Sequence, residues 1–224
     1  FTLAETLIVM GIIGVVAALT IPNLNSSTAD KEKVAKVKKI YSNLNDALGR
    51  AQAVYGPSEE WIQLDTTAAA QLTRYGERLT EFMKLSKTCG AEVSKGCFDS
   101  TKPKYLSGGT GNAGDSIDKS TYLYKAILAD GASIGINSST IVIDIDGPNK
   151  GSNQYGKDIF TFIFENNSVV PPAIDETVNF YIQDLNGVYS SAWIIRFDNM
   201  DYTKLSNGKC PNGKVPTDQS PTCK

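Results

Sequence analysis

Histidine is absent from the 224 residues, and cysteine (four), methionine (three) and tryptophan (two) are scarce. Without histidine there is no Ser-His or Cys-His nucleophile pair, and the commonest general base and metal ligand are missing. The cysteines form no C-x-x-C, so neither a zinc site nor a thioredoxin-type redox centre is indicated. Their even number fits two disulfides in an oxidising compartment. Neither sign of charge dominates: 22 Lys and Arg stand against 24 Asp and Glu, for a net charge of -2. No global basic surface for nucleic acid follows from that balance. These absences point to an extracytoplasmic protein without catalytic residues.

A second absence lies near the start. No charged residue occurs between Thr6 and Ala29, and Leu7–Ile21 (L-I-V-M-G-I-I-G-V-V-A-A-L-T-I) is almost wholly apolar. A helix needs about 20 mostly apolar residues to cross a bilayer, and Phe1–Leu24 reaches that length only by including Glu5. An ionised carboxylate in a membrane helix costs roughly 2.5–3.5 kcal/mol on insertion scales, so a partner is expected. The nearest cation is the α-amino group of Phe1, its own or a neighbouring copy's. A plain membrane anchor would give no reason for Glu5. A cleaved secretory signal fits poorly, since the stretch has no basic start.

The run F-T-L-A-E-T-L-I-V-M-G-I-I-G-V-V-A-A-L-T-I-P resembles the N-terminus of type IV pilins and the related pseudopilins of type II secretion. The resemblance covers Phe1–Pro22, about a tenth of the chain. It implies a prepilin peptidase that cuts before Phe1 and methylates its amine, a glutamate at Glu5 that steers assembly, and a helix-loosening proline at Pro22. The pairing has a physical logic: Glu5 and an ammonium are each costly alone in lipid, and only the correct axial register neutralises both. Gly11 and Gly14 weaken the helix ahead of Pro22, or simply let helices approach closely in lipid.

Beyond Asn23, Val34, Val37, Tyr41, Leu44, Leu48, Ala51 and Tyr55 recur at steps of three and four, one face of an α-helix. Ile40, Ala47 and Val54 widen the stripe, which predicts packing on a domain core rather than a coiled-coil seam. Lys31, Lys33, Lys36, Lys38 and Lys39 read as a solvated face; no aromatic platform accompanies them, so no nucleic-acid site is evident. Gly56-Pro57 ends this helix, and a helix from Phe1 to Tyr55 would span roughly 80 Å. Thr66 or Thr67 is placed to cap a second helix carrying Leu72, Tyr75, Leu79 and Phe82. Ser107–Gly114 is a flexible loop without the Lys-Ser/Thr of a phosphate cradle. The second half predicts strands at Ala132–Asn137, Thr140–Ile145, Asp158–Phe164, Val178–Gln183 and Ala192–Phe197. Short links such as Ser138-Ser139 favour an antiparallel meander.

Two features carry chemistry. Asp144, Asp146, Asn149, Asn153 and Asp158 crowd into D-I-D-G-P-N-K-G-S-N-Q-Y-G-K-D, oxygen ligands of the kind Ca²⁺ prefers. The spacing is not that of an EF-hand, and the same residues are the usual turn formers, so a structural calcium and a plain turn both stand. Some pilin-like proteins hold a structural calcium. The four cysteines allow three connectivities; the simplest is local, Cys89 with Cys97 and Cys210 with Cys223. Each local bridge closes a loop of about ten to fifteen residues, worth roughly 3 kcal/mol in the chain-entropy model.

The expected fold is α+β and pilin-like: a long N-terminal helix whose hydrophobic half protrudes, packed on an antiparallel sheet, with a disulfide-closed C-terminal loop. Residues 1–24 form the hydrophobic membrane and filament-core helix, and residues 25–224 the extracytoplasmic domain, with 25–55 laid on the sheet. The resemblance implies a type IV pilus subunit, not an enzyme, that polymerises into a surface filament for adhesion, motility or DNA uptake. Unassembled, it would wait in the inner membrane beside the pilus assembly machinery. The alternatives are a pseudopilin or minor pilin of a secretion or competence system, and a membrane-anchored extracytoplasmic binding domain or enzyme.

Overall fold

A computed structural model describes residues 2–61, 68–110, 116–184 and 186–223; side chains at 17–27, 68, 69, 71 and 72 are outside the description. Helix α1 runs Leu3–Tyr55, 53 residues, continuous through position 22. Gly56, at φ 78, ends it where no side chain favours the required backbone, and its N–H bonds to the Gln52 carbonyl. The two halves of α1 differ in what they touch. Leu3, Leu7, Ile8, Met10 and Ile12 stand exposed, whereas Val34, Val37, Ile40, Leu44, Ala47, Leu48 and Ala51 are buried in the core. The stripe anticipated from periodicity is therefore present, except that Val54 points to solvent and Tyr41 and Tyr55 are only half-buried.

Helix α2 (Ala68–Thr80) follows, burying Tyr75 and Leu79. The proposed caps Thr66 and Thr67 lie outside the described residues, as does the side chain of Leu72. Phe82 falls past the end of α2, where it packs half-buried against the core. Strands β1 (Leu85–Gly90), β2 (Tyr124–Leu128), β3 (Ser133–Ile136), β4 (Thr140–Asp144), β5 (Ile159–Glu165) and β6 (Ser168–Val170) form one antiparallel sheet in sequential order. The fold is thus α+β, a long helix on a six-stranded meander.

All four residues of β3 are buried, because the sheet is covered twice. The larger cluster joins α1, α2 and the sheet with Trp61, Phe160, Phe162 and Trp193; a smaller one holds Phe98, Ile117, Leu123, Val142 and Ile159 on the other side. Two-sided burial explains why these strands read as nearly continuous apolar runs rather than alternating ones.

Two expected strands are helices. Val178–Gln183 forms α3 (Val178–Ile182), and Ala192–Phe197 forms most of α4 (Ser190–Phe197). Their Ile, Val, Tyr and Trp content suits strands, but the burial is helical. Val178 and Tyr181 face inward three apart, and Trp193 meets Phe197 four apart, edge to face with centroids 5.1 Å apart. Packing decides over propensity at both places. Strands β1, β2 and β6 were not anticipated: β1 is rich in Ser, Lys and Thr, and β6 has only three residues.

Both disulfides are local, Cys89–Cys97 and Cys210–Cys223, with no free cysteine. The C-terminal loop is tied down by more than its bridge. Asp218 accepts a hydrogen bond from the Val178 N–H at 3.0 Å, and Asp201 accepts one from the Cys223 N–H at 2.8 Å.

Candidate functional site

At the tip of α1, Thr2 and Glu5 form a capping box. The Glu5 carboxylate accepts from the Thr2 N–H at 2.8 Å, and the Thr2 hydroxyl accepts from the Glu5 N–H at 3.3 Å. Thr6 donates its hydroxyl to the Leu3 carbonyl at 2.9 Å. Thr2 and Glu5 thus satisfy N–H groups that a helix start leaves without partners, while Thr6 satisfies its own hydroxyl. One Glu5 oxygen is used this way, which leaves acceptor capacity on the carboxylate.

A shallow groove of about 240 Å³ runs along the same face, lined by Glu5, Thr6, Val9, Met10 and Ile13. A Cβ at Gly11 or Gly14 would meet nothing within 4 Å outside the helix backbone. The exposed apolar tip is thus uncovered within the single chain. Among the described residues no helix is long and apolar enough to cross a membrane. Phe1 lies outside the described residues, as does the side chain of Pro22, so neither assigned role is visible in the geometry.

The acidic loop between β4 and β5 is bound up with its own backbone. Asp144 and Asp158 are 1% and 0% exposed. One Asp144 oxygen accepts from the N–H groups of Asp146 and Gly147, both at 3.1 Å. Asp158 accepts from the N–H groups of Asn153 at 2.8 Å and Gln154 at 2.7 Å, from the Ser152 hydroxyl at 3.1 Å, and from the Ser152 N–H. Asp146 lies 3.7 Å from the Lys33 ammonium, which α1 brings to the loop. Gly151, at φ 70, sits where any Cβ would strike the carboxylates of both Asp146 and Asp158. Burial, and then the charges of Asp158 and Asp146, push the Asp144 carboxyl up to about 7, against the two N–H bonds that lower it.

Three of the five proposed calcium ligands are therefore neighbours. The other two are directed elsewhere: Asn153 donates its side-chain amide to Thr101, and Asn149 lines a different cavity. Among the described residues no group of three or more carboxylate or cysteine side chains is arranged to hold a metal ion.

That other cavity, about 270 Å³, was not anticipated from sequence. Ser94, Phe98, Ser100, Ser116, Asp118 and Asn149 line it. Asp118 organises it: its carboxylate accepts from the N–H groups of Gly96, Cys97 and Phe98 at 3.0–3.1 Å. Its carbonyl accepts from Ser94 N–H at 3.1 Å and from the buried Lys125 ammonium at 3.0 Å. Burial lowers the Lys125 pKa, and the Asp118 charge opposes that shift. Only a buried lysine in β2 could have signalled the arrangement, and lysine in a sequence reads as surface. No protein-family model, curated protein or solved structure matches this chain.

Proposed function

We infer that this chain is a pilin-like subunit that polymerises through its N-terminal helix into a filament of identical copies at the cell surface. One observation carries the reading: an exposed apolar helix tip, Leu3 81% and Leu7 64% exposed, continuous with a helix whose second half is locked into a folded domain. Apolar surface on that scale needs a cover, and association removes it from water at roughly 25 cal/mol per Å². Lipid covers it before assembly and neighbouring helices afterwards. Glu5 supplies the register, because a carboxylate among apolar helices is tolerated where a neighbour's cation meets it.

On this reading the protein is structural and has no catalytic residue; the inner-membrane assembly machinery and a prepilin peptidase are its partners. A main pilus subunit and a pseudopilin would share this chemistry. Glu5→Ala, expressed without the native copy, tests it. The variant should accumulate as folded, membrane-bound monomer and enter filaments poorly, while Glu5→Asp keeps part of the yield. Normal filament yield from Glu5→Ala would refute the assignment.

A further inference from the structure

We propose that Asn166 is an acceptor for N-linked glycosylation. The inference requires only that the chain is exported, which its two disulfides support, and it does not depend on filament assembly. The sequence holds three Asn-X-Ser/Thr triplets without a central proline: Asn25-Ser26-Ser27, Asn137-Ser138-Ser139 and Asn166-Asn167-Ser168. Such a triplet marks an acceptor where it stands on an accessible loop of an exported protein. Asn25 falls where side chains are outside the description, and the structure separates the other two.

Asn137 is half-buried at the β3–β4 turn, and its carboxamide oxygen is fully used. It accepts from the Ser139 N–H at 2.9 Å, the Thr140 N–H at 2.7 Å and the Ser139 hydroxyl at 3.1 Å. Both ends of that triplet are thus committed to holding a turn. Asn166 and Asn167 are the two residues of the β5–β6 turn, since Glu165 pairs with Ser168. Both have positive φ, 48 and 59, as a type I′ turn demands and asparagine tolerates.

Their side chains divide the work. Asn167 ties the hairpin to the end of α1 and the residues after it. Its carbonyl accepts from the Gln52 amide at 2.9 Å, its side-chain oxygen accepts from the Ser58 hydroxyl at 3.0 Å, and its own amide donates to Glu59 at 3.2 Å. Asn166 and Ser168 are both exposed, and neither side chain makes a hydrogen bond to a described residue. The fold uses the middle residue and leaves the amide and the hydroxyl of the triplet free for an enzyme. The position also suits a bulky addition. Gln52 lies one turn from the end of α1, so this hairpin is roughly 65–70 Å along the helix from Leu7, clear of the apolar tip.

In the transfer, the Asn166 amide nitrogen attacks the anomeric carbon of a polyprenyl-diphosphate-linked saccharide. A C–N bond forms and the C–O bond to the diphosphate breaks. The diphosphate leaves with the electron pair, and the amide proton passes to a base on the transferase. The Ser168 hydroxyl is the group by which that enzyme recognises the triplet.

The test is mass spectrometry of the full chain isolated from the cells that make it, with peptides fragmented so that the modification stays attached. The peptide holding Asn166 should carry a saccharide mass. Asn166→Asp, which still tolerates the positive φ, and Ser168→Ala, which leaves the amide in place, should each abolish it, while Ser168→Thr keeps it. Circular dichroism should show all three variants folded, because both positions are exposed. An unmodified Asn166 in the native chain overturns the proposal. So does a saccharide that survives Asn166→Asp, which would sit on a hydroxyl, one that survives Ser168→Ala, or one found equally on Asn137.

Discussion

Asp144 is held by burial and by the neighbouring Asp158 and Asp146 charges with its carboxyl raised to about 7. The folded state therefore binds this proton more tightly than the unfolded chain does. The resulting contribution to stability is complete below the unfolded value and is lost as pH rises through about 7. Asp144→Asn keeps an oxygen for the N–H groups of Asp146 and Gly147 but carries no charge. Melting curves should show Asp144→Asn more stable than the native chain at pH 8, by about 1–3 kcal/mol, with the gap closing towards pH 5. Parallel curves across that range would contradict the assignment.

The same loop bears on calcium. The oxygen-rich run was plain in the sequence, but which oxygens remain free was not. That depends on Asp158 folding back onto residues 152–154 and on Lys33 arriving from a helix more than a hundred residues away. Lys33 faces Asp146, and the backbone N–H groups of residues 152–154 take up Asp158, so a plain turn is the expectation to be tested. The melting temperature should be the same in calcium and in chelator. A rise with calcium that Asp146→Ala abolishes would restore the metal reading.

Among the elements, α2 meets β2 through a glycine. A Cβ built at Gly76 would overlap the Tyr124 side chain, although the helical backbone itself accepts alanine. Intrinsic propensity favours Gly→Ala in a helix by about 1 kcal/mol. Here the overlap opposes it, and overpacking typically costs 1–3 kcal/mol. Denaturant unfolding should show Gly76→Ala destabilised; a stabilised variant would mean that α2 does not pack on Tyr124. The C-terminal bridge closes a 13-residue separation, and breaking it with Cys210→Ser and Cys223→Ser together should cost about 3 kcal/mol. Because Asp218 and Asp201 also hold the loop, the double variant should still fold, as circular dichroism would verify.

Legibility also varied by element. The second half of α1 was plain, since one side of it meets the core and the other meets solvent. Strands β3, β4 and β5 were plain because turn residues bound them. Helices α3 and α4 were hidden, because short aromatic-rich runs have too few turns to show their period. The polar cavity was invisible, since it joins residues from the disulfide loop, Ser116–Asp118 and Asn149, which only the sheet brings together.

For the molecule as a whole, one long helix serves two environments. Its second half completes the domain core, and its first half offers an apolar surface with a capped, carboxylate-bearing tip. The domain does not need that tip to complete its core, and on the proposed function the tip makes the contacts between copies. The most direct test is electron imaging of cells that make this protein, beside a deletion strain and that strain complemented with either the full chain or a version starting at Thr28. Filaments labelled by an antibody to the domain should appear in the parent, vanish in the deletion and return only with the full chain. Filaments that persist in the deletion, or that the version starting at Thr28 restores, would contradict the account.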